Sequence, residues 1–152
     1  MAMQSTETIN DLKVINDMKY SIIIPKYDNS GRKIKTEKIA EKVKKMAKQF
    51  GGVTVIPSIL GCWENEKGNL VCEENAEIYS IRDIDGNIKP SERQIIINND
   101  LDFILTLGEE IGRDLGQAAV LVSNARTETT FVSGEYKDTI KDTGVDWFKK
   151  LI

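Results

Sequence analysis

The 152-residue sequence predicts an α+β domain of the ferredoxin-like type, β-α-β-β-α-β, with two helices on one face of an antiparallel sheet. Three observations predict it. A β-branched run, Ile22-Ile23-Ile24, precedes an amphipathic helical stripe. The junction Phe50-Gly51-Gly52-Val53-Thr54 turns that helix directly into a second strand. Two strand-like runs, one reaching Trp63 and one starting at Leu70, then flank the turn-forming residues Asn65 to Asn69.

Lys19 to Pro25 reads as an internal strand, because apolar residues fall on both of its faces before proline ends it. Asp28-Asn29-Ser30-Gly31 supplies turn chemistry. Thr36 is the expected N-cap of the first helix, whose buried stripe is Ile39, Ala40, Val43, Met46, Ala47 and Phe50. Lys38, Glu41, Lys42, Lys44, Lys45 and Lys48 are expected in water. Gly51 stands where a helix-ending residue of positive φ belongs.

Val53 to Ile56 begins the next strand, and it continues past Pro57 to Trp63. Pro57 there implies a bulge or an edge position. The return strand from Leu70 through Arg82 is long or bent. Asp85-Gly86-Asn87 and Pro90 mark a loop, and Gln94 to Ile97 reads as a short β-like run. Asp100 is the expected cap of the second helix, with Leu101, Ile104, Leu105, Gly108, Ile111, Gly112 and Leu115 on its inner side and Gly116 at its end. Ala118 to Ser123 reads as the last strand, with Thr129 to Val132 a candidate partner. Three regions result: an N-terminal segment 1–18 with a short docking helix, the α+β domain 19–135, and a tail 136–152 carrying a short amphipathic helix around Val145 to Leu151. Open sheet edges make a homodimer or higher homo-oligomer the expected assembly.

Composition excludes several function classes. The sequence has no histidine, so Ser-His and Cys-His catalytic pairs and His-ligated metals are absent. Two cysteines cannot build a four-thiolate zinc site, and no phosphate-cradling Gly-rich loop is present. No cofactor and no metal is expected. The net charge of −3 predicts no strong attraction to nucleic acid, and no apolar run approaches the roughly 20 residues of a membrane span. No signal peptide is legible, so the cytoplasm is the expected compartment, where Cys62 and Cys72 default to small, reduced, buried thiols. The symmetric placement of the two cysteines about a five-residue turn would put them opposite each other. A cross-strand disulfide or redox switch is the alternative, should their Cα atoms come within ~4.4–6.8 Å.

Trp63, beside the turn, could stack on a ring ligand or could simply cover the sheet edge. Gln117 could read an amide or base edge and Arg113 could meet an anion. Both also have plain structural roles at a helix end. Arg82, Arg93 and Arg126 lie in or beside loops. Glu73 and Glu74 are adjacent in a strand and so point to opposite faces.

The chain resembles a loose superfamily of short bacterial and phage proteins of unknown function. The resemblance rests on Asp28 to Gly31, Phe50-Gly51-Gly52-Val53-Thr54, Gly61-Cys62-Trp63, Gly68 to Glu74, and Gly116-Gln117 leading to Val120. It spans Tyr20 to Phe131 and implies an α+β domain without an assigned activity. The residues point to a non-enzymatic protein that binds a small polar, nucleotide-like ligand at Trp63, Glu74, Arg113, Gln117 and Arg126. In this site Trp63 would stack, the arginines would neutralise an anion, and Glu74 with Gln117 would supply hydrogen bonds. Where the resembling proteins occur adds a finer version, phage sequestration of a host signalling nucleotide. The alternative is a protein–protein interaction module acting through the sheet edge or the C-terminal tail. A histidine-free enzyme using Glu74 or a Cys72 thiolate is a third class.

Overall fold

The computed structural model describes residues 17–117 and 119–127. Among the described residues six elements follow one another: β1 (Asp17–Pro25), α1 (Thr36–Phe50), β2 (Thr54–Glu64), β3 (Leu70–Arg82), α2 (Pro90–Asp114) and β4 (Val122–Thr127). The strands form one antiparallel sheet in the order β2-β3-β1-β4, the ferredoxin-like arrangement that the element order predicts. β1 is central, as its two-sided apolar pattern requires. The N-terminal docking helix up to residue 16, the Thr129 to Val132 strand and the amphipathic tail lie outside the described residues, whereas Asp17 and Met18, expected in the N-terminal segment, belong to β1.

Alternation along β1 and β3 sends Met18, Tyr20, Ile22, Ile24, Ala76 and Ile78 to one face. α1 covers this face with Ile39, Met46 and Phe50, and α2 with Ile97, Ile104, Leu107 and Ile111. Phe50 stacks on Tyr20 at 5.2 Å between ring centroids and meets Phe103 edge-on at 5.7 Å. Gly51 ends α1 with φ +85°, the left-handed conformation foreseen for it. The first helical residue is Thr36 itself, and the N-cap position falls on Lys35.

α2 corrects two expectations. Gln94 to Ile97 is helical rather than β-like, and Asp100 is buried in the helix rather than capping it. Pro90 at the first helical position, with Glu92 in the first turn, starts the helix ten residues earlier than Asp100. Asp100 occupies the buried stripe because Arg82 reaches it from β3 with Nε donating to Oδ2 at 2.8 Å and Nη2 to Oδ1 at 2.9 Å. Gln49 Nε2 donates to Oδ1 at 3.1 Å, and Arg82 Nη2 also donates to the Gln49 carbonyl at 3.0 Å. A buried carboxylate is tolerated only when paired and hydrogen-bonded in this way. Beside it, burial pushes the Tyr20 phenol up to about 12, and the Asp100 charge adds to the shift.

Lys42 is a further correction. It is 2% exposed, and its ammonium pairs with Asp114 at 2.6 Å and Glu110 at 3.7 Å. The apolar stem packs between the helices while the charged head reaches the α2 carboxylates. This ties α1 to the last turn of α2. Gly108 allows α2 to approach β4, since a Cβ there would stand 2.8 Å from Val122 Cγ2.

Beyond Asn75 the sheet narrows. Pro25↔Asn75 is the last pair between β1 and β3, so among the described residues Leu70 to Glu74 have β2 as their one strand partner. The β2–β3 register shifts between Ile56 and Ile59, the bulge that Pro57 foretold. The distal hairpin is therefore a two-stranded ribbon closed by the turn Asn65 to Asn69, in which Asn65 Oδ1 accepts from the Lys67 and Asn69 amides. Cys62 and Cys72 are directly opposed in register and joined as a disulfide, with Cα atoms 4.0 Å apart, a little shorter than the separation expected for a bridge. Both are exposed, so the expectation of buried thiols gives way to the cross-strand bridge.

Candidate functional site

Three chain segments meet where β1 ends: the loop after Pro25, the β2–β3 ribbon, and the stretch after α2. Asp28 shapes the loop by accepting the Ser30 and Arg32 amides on Oδ1, both at 2.9 Å. The Asn29 amide donates to the Gly116 carbonyl at 3.0 Å, and Gln117 Nε2 donates to the Tyr27 carbonyl at 2.8 Å. Gly116 supplies the positive φ (+64°) that turns the chain out of α2 and against Asp28. Lys42, through Asp114, holds the helix turn from which Gln117 emerges.

A groove of about 470 Å³ runs across the sheet surface turned away from the helices. Trp63, Gly61 and Asn75 line one side, Ile23 and Pro25 the floor, and Gln117 with Ala119 to Leu121 the other side. Trp63 faces into it because it pairs with Val71, which places it on the same side of the ribbon as Glu73 and Asn75. Gly61 is small for a reason: a Cβ there would lie 3.3 Å from Asn75 Nδ2. The volume falls within the range of small-molecule sites.

Of the sequence-derived candidates, the structure brings Trp63 and Gln117 into this groove. Arg113 lies in an adjoining hollow of about 640 Å³ that shares Gln117, Val120 and Leu121 with it and is floored by Gly108 and Gly112. Its guanidinium is mostly exposed and meets Asp114 at 3.4 Å. Glu74 is turned to the opposite face of the ribbon, where it accepts from Lys26 Nζ at 2.9 Å and Ser58 Oγ at 2.8 Å. Those two donors, Lys26 foremost, hold its carboxyl below the usual glutamate range. Glu74 lines a third hollow with Tyr27, Asp28 and Cys72. Arg126 pairs with Met18 at the other end of β1, seven residues from Pro25, or roughly 23 Å at strand spacing. Arg82, bound to Asp100, is committed to the core.

Sequence reasoning did not select Asn75, Ile23 or the Ala119–Leu121 backbone as groove residues. The signal for Asn75 was present, since it shares strand parity with Trp63's partner Val71. Nothing in the sequence alone marks Ile23, which depends on strand order. Among the described residues no group of three or more metal-ligating side chains converges, and no helix is long and apolar enough to cross a membrane.

No family model and no curated protein matches the chain. Among solved structures it is similar to a phage SAM lyase in complex with S-methyl-5'-thioadenosine, at 16% identity over 73% of this chain and 81% of that one, with a TM-score of 0.49. It is also similar to phage SAM lyase in the apo state, at 15% identity over 80% and 92%, TM-score 0.45. CutA1, the divalent ion tolerance protein from Ehrlichia chaffeensis, aligns at 9% identity over 90% and 94%, TM-score 0.42. At these identities and scores the similarity carries neither ligand nor reaction over to this chain.

Proposed function

We propose that the Trp63–Gln117 groove binds a small polar molecule with a planar ring, of nucleotide-like character. One observation carries the proposal: a half-exposed indole and a side-chain amide from distant parts of the chain line the same groove of about 470 Å³. The indole offers a stacking face, and stacking is worth roughly 1–3 kcal/mol per base. The Gln117 amide is held by two backbone carbonyls, those of Tyr27 and Leu115, so it meets a ligand already oriented. Arg113, in the adjoining hollow, is placed for an anionic group on a ligand that extends past Gln117. Glu74 and Arg126 fall outside this contact set, the first on the other face and the second at the far end of β1. Sequestration of a host signalling nucleotide by a phage-borne copy is the finer version of the same proposal.

The test is a titration with nucleosides and nucleotides, S-methyl-5'-thioadenosine included, following Trp63 emission in a Trp147→Phe background together with thermal shift. Expected is saturable quenching by at least one compound, with affinity weakened about 10- to 100-fold in Trp63→Ala as read by thermal shift. Unchanged emission and melting across the whole set would sink the proposal.

A protein–protein interaction role is favoured by a different observation. Leu60 and Leu70, on the ribbon's other face, are 69% and 74% exposed. A Leu60→Ser/Leu70→Ser variant that loses a partner while keeping the ligand titration unchanged would separate the two functions.

A further inference from the structure

We propose that the Cys62–Cys72 disulfide is a redox switch that sets the shape of the Trp63 groove. Closed, it holds the distal β2–β3 ribbon as a fixed wall; opened by a dithiol, it releases Trp63 from that wall.

The surroundings of the bridge make it the main restraint on this wall. Among the described residues Leu70 to Glu74 have no strand partner on the β1 side, only the Lys26–Glu74 ion pair at the inner end of the ribbon, and the bulge at Pro57 separates the ribbon from the regular part of β2. A two-stranded ribbon in water is marginal without a third strand or a packed face. This one has little packed face, because Leu60, Leu70 and Trp63 are all exposed to about half or more. Cys62 adjoins Trp63 in the chain with its side chain on the opposite face of the ribbon, and Cys62 lines the groove while Cys72 lines the hollow on the other face. Any change in the ribbon's pairing therefore moves groove residues before it reaches the body of the sheet.

The bridge is also reachable. Both cysteines are exposed residues, so a dithiol can reach the bridge from solvent. The step balances without further reactants. One thiolate of the dithiol attacks, the S–S bond breaks, and its second thiolate displaces the mixed disulfide. Two electrons pass to the protein, two protons complete the Cys62 and Cys72 thiols, and the dithiol leaves as its cyclic disulfide. A reducing compartment would favour the opened form, and an oxidising one the closed form.

The experiment uses the full chain carrying Trp147→Phe, so that Trp63 is the single tryptophan. Dithiothreitol is titrated while free thiols, acrylamide quenching of Trp63 and amide exchange are followed. Expected is the appearance of both thiols, stronger quenching, and exchange about tenfold faster from Ile59 to Glu74, with β1 unchanged. Reoxidation should restore all three, and Cys62→Ala/Cys72→Ala should match the reduced state and ignore the reagent. Thiols that appear without a change in quenching or exchange would overturn the proposal. So would loosening spread evenly through the sheet, or a bridge that native protein does not surrender. No ligand enters these readouts, so the outcome is independent of the binding titration.

Discussion

Within β3, the residues from Asn75 to Arg82 and those from Leu70 to Glu74 live under different forces. The first segment has a strand on each side for most of its length, helices over its inner face, and at Arg82 a carboxylate partner from α2. Among the described residues the second has one neighbouring strand, no helical cover and a covalent bridge. Alternation and β propensity are similar in both, so local sequence does not create the difference. What separates them is how many layers the topology stacks against each. Burial and buried ion pairing hold the body, whereas a cross-link and the half-exposed Lys26–Glu74 pair hold the ribbon. The groove lies on the seam, taking Ile23 and Pro25 from one region and Trp63 from the other.

The largest test of this contrast is Asp100→Ala, which leaves Arg82 without its carboxylate. Denaturant unfolding should show a loss of about 3–5 kcal/mol, the usual result of breaking a buried pair. A loss under ~1 kcal/mol would mean that the network is not what holds α2 on the sheet. Next is the close helix contact. Gly108→Ala should cost about 1–2 kcal/mol, because its Cβ would meet the stiff Val122 side chain at 2.8 Å. Gly112→Ala, whose Cβ meets only ordinary contacts from 3.5 Å, should instead gain up to about 1 kcal/mol of helix preference. The two thermal midpoints should move in opposite directions.

Acid should weaken both regions in the same direction through different carboxylates. Glu110, bonded to Lys45, and Asp114, bonded to Lys42, are held below their ordinary values of 4.5 and 3.8 in the body. Glu74, bonded to Lys26, is likewise lowered in the ribbon. A depressed carboxyl stabilises the fold above its unfolded pKa and loses that contribution as pH falls through its folded one. Stability should therefore hold above about pH 4.5 and decline below it. Lys42→Met should flatten the body's part of that decline, and Lys26→Met the ribbon's, as followed by residue-resolved exchange between pH 3 and 6. The smallest effect expected is Leu60→Ser. An exposed ribbon residue should change global stability by less than about 0.5 kcal/mol, and a larger loss would show that the ribbon packs on something.

Much of the fold was legible because it depends on local chemistry. The α1 stripe, the Gly51 stop, the turn Asn65 to Asn69 and the Cys62↔Cys72 register all follow from spacing. The α2 start was misread because Gln94-Ile95-Ile96-Ile97 satisfies strand and helix patterns alike, and length alone decides between them. Asp100 and Lys42 resemble surface residues until the partners on other elements are known, so no local pattern reveals their burial. Within the site, parity could have separated Trp63 from Glu74, since Trp63 faces the same side as Val71 and Glu73. The distance from Gln117 to Arg126 required the strand order, which places β4 alongside β1 with its end at Met18.

The bulge at Pro57 has a consequence for the company this protein keeps. Among the described residues β2 is the sheet's outer strand and, at 11 residues, long enough to template another chain along its outer edge. Pro57 contributes no N–H there, and the register break between Ile56 and Ile59 bends the strand at the same point. An incoming strand would meet two short, misaligned stretches instead of one continuous ladder. Fibril-like growth along this edge is thereby blocked. A second copy joining here would have to dock through side chains.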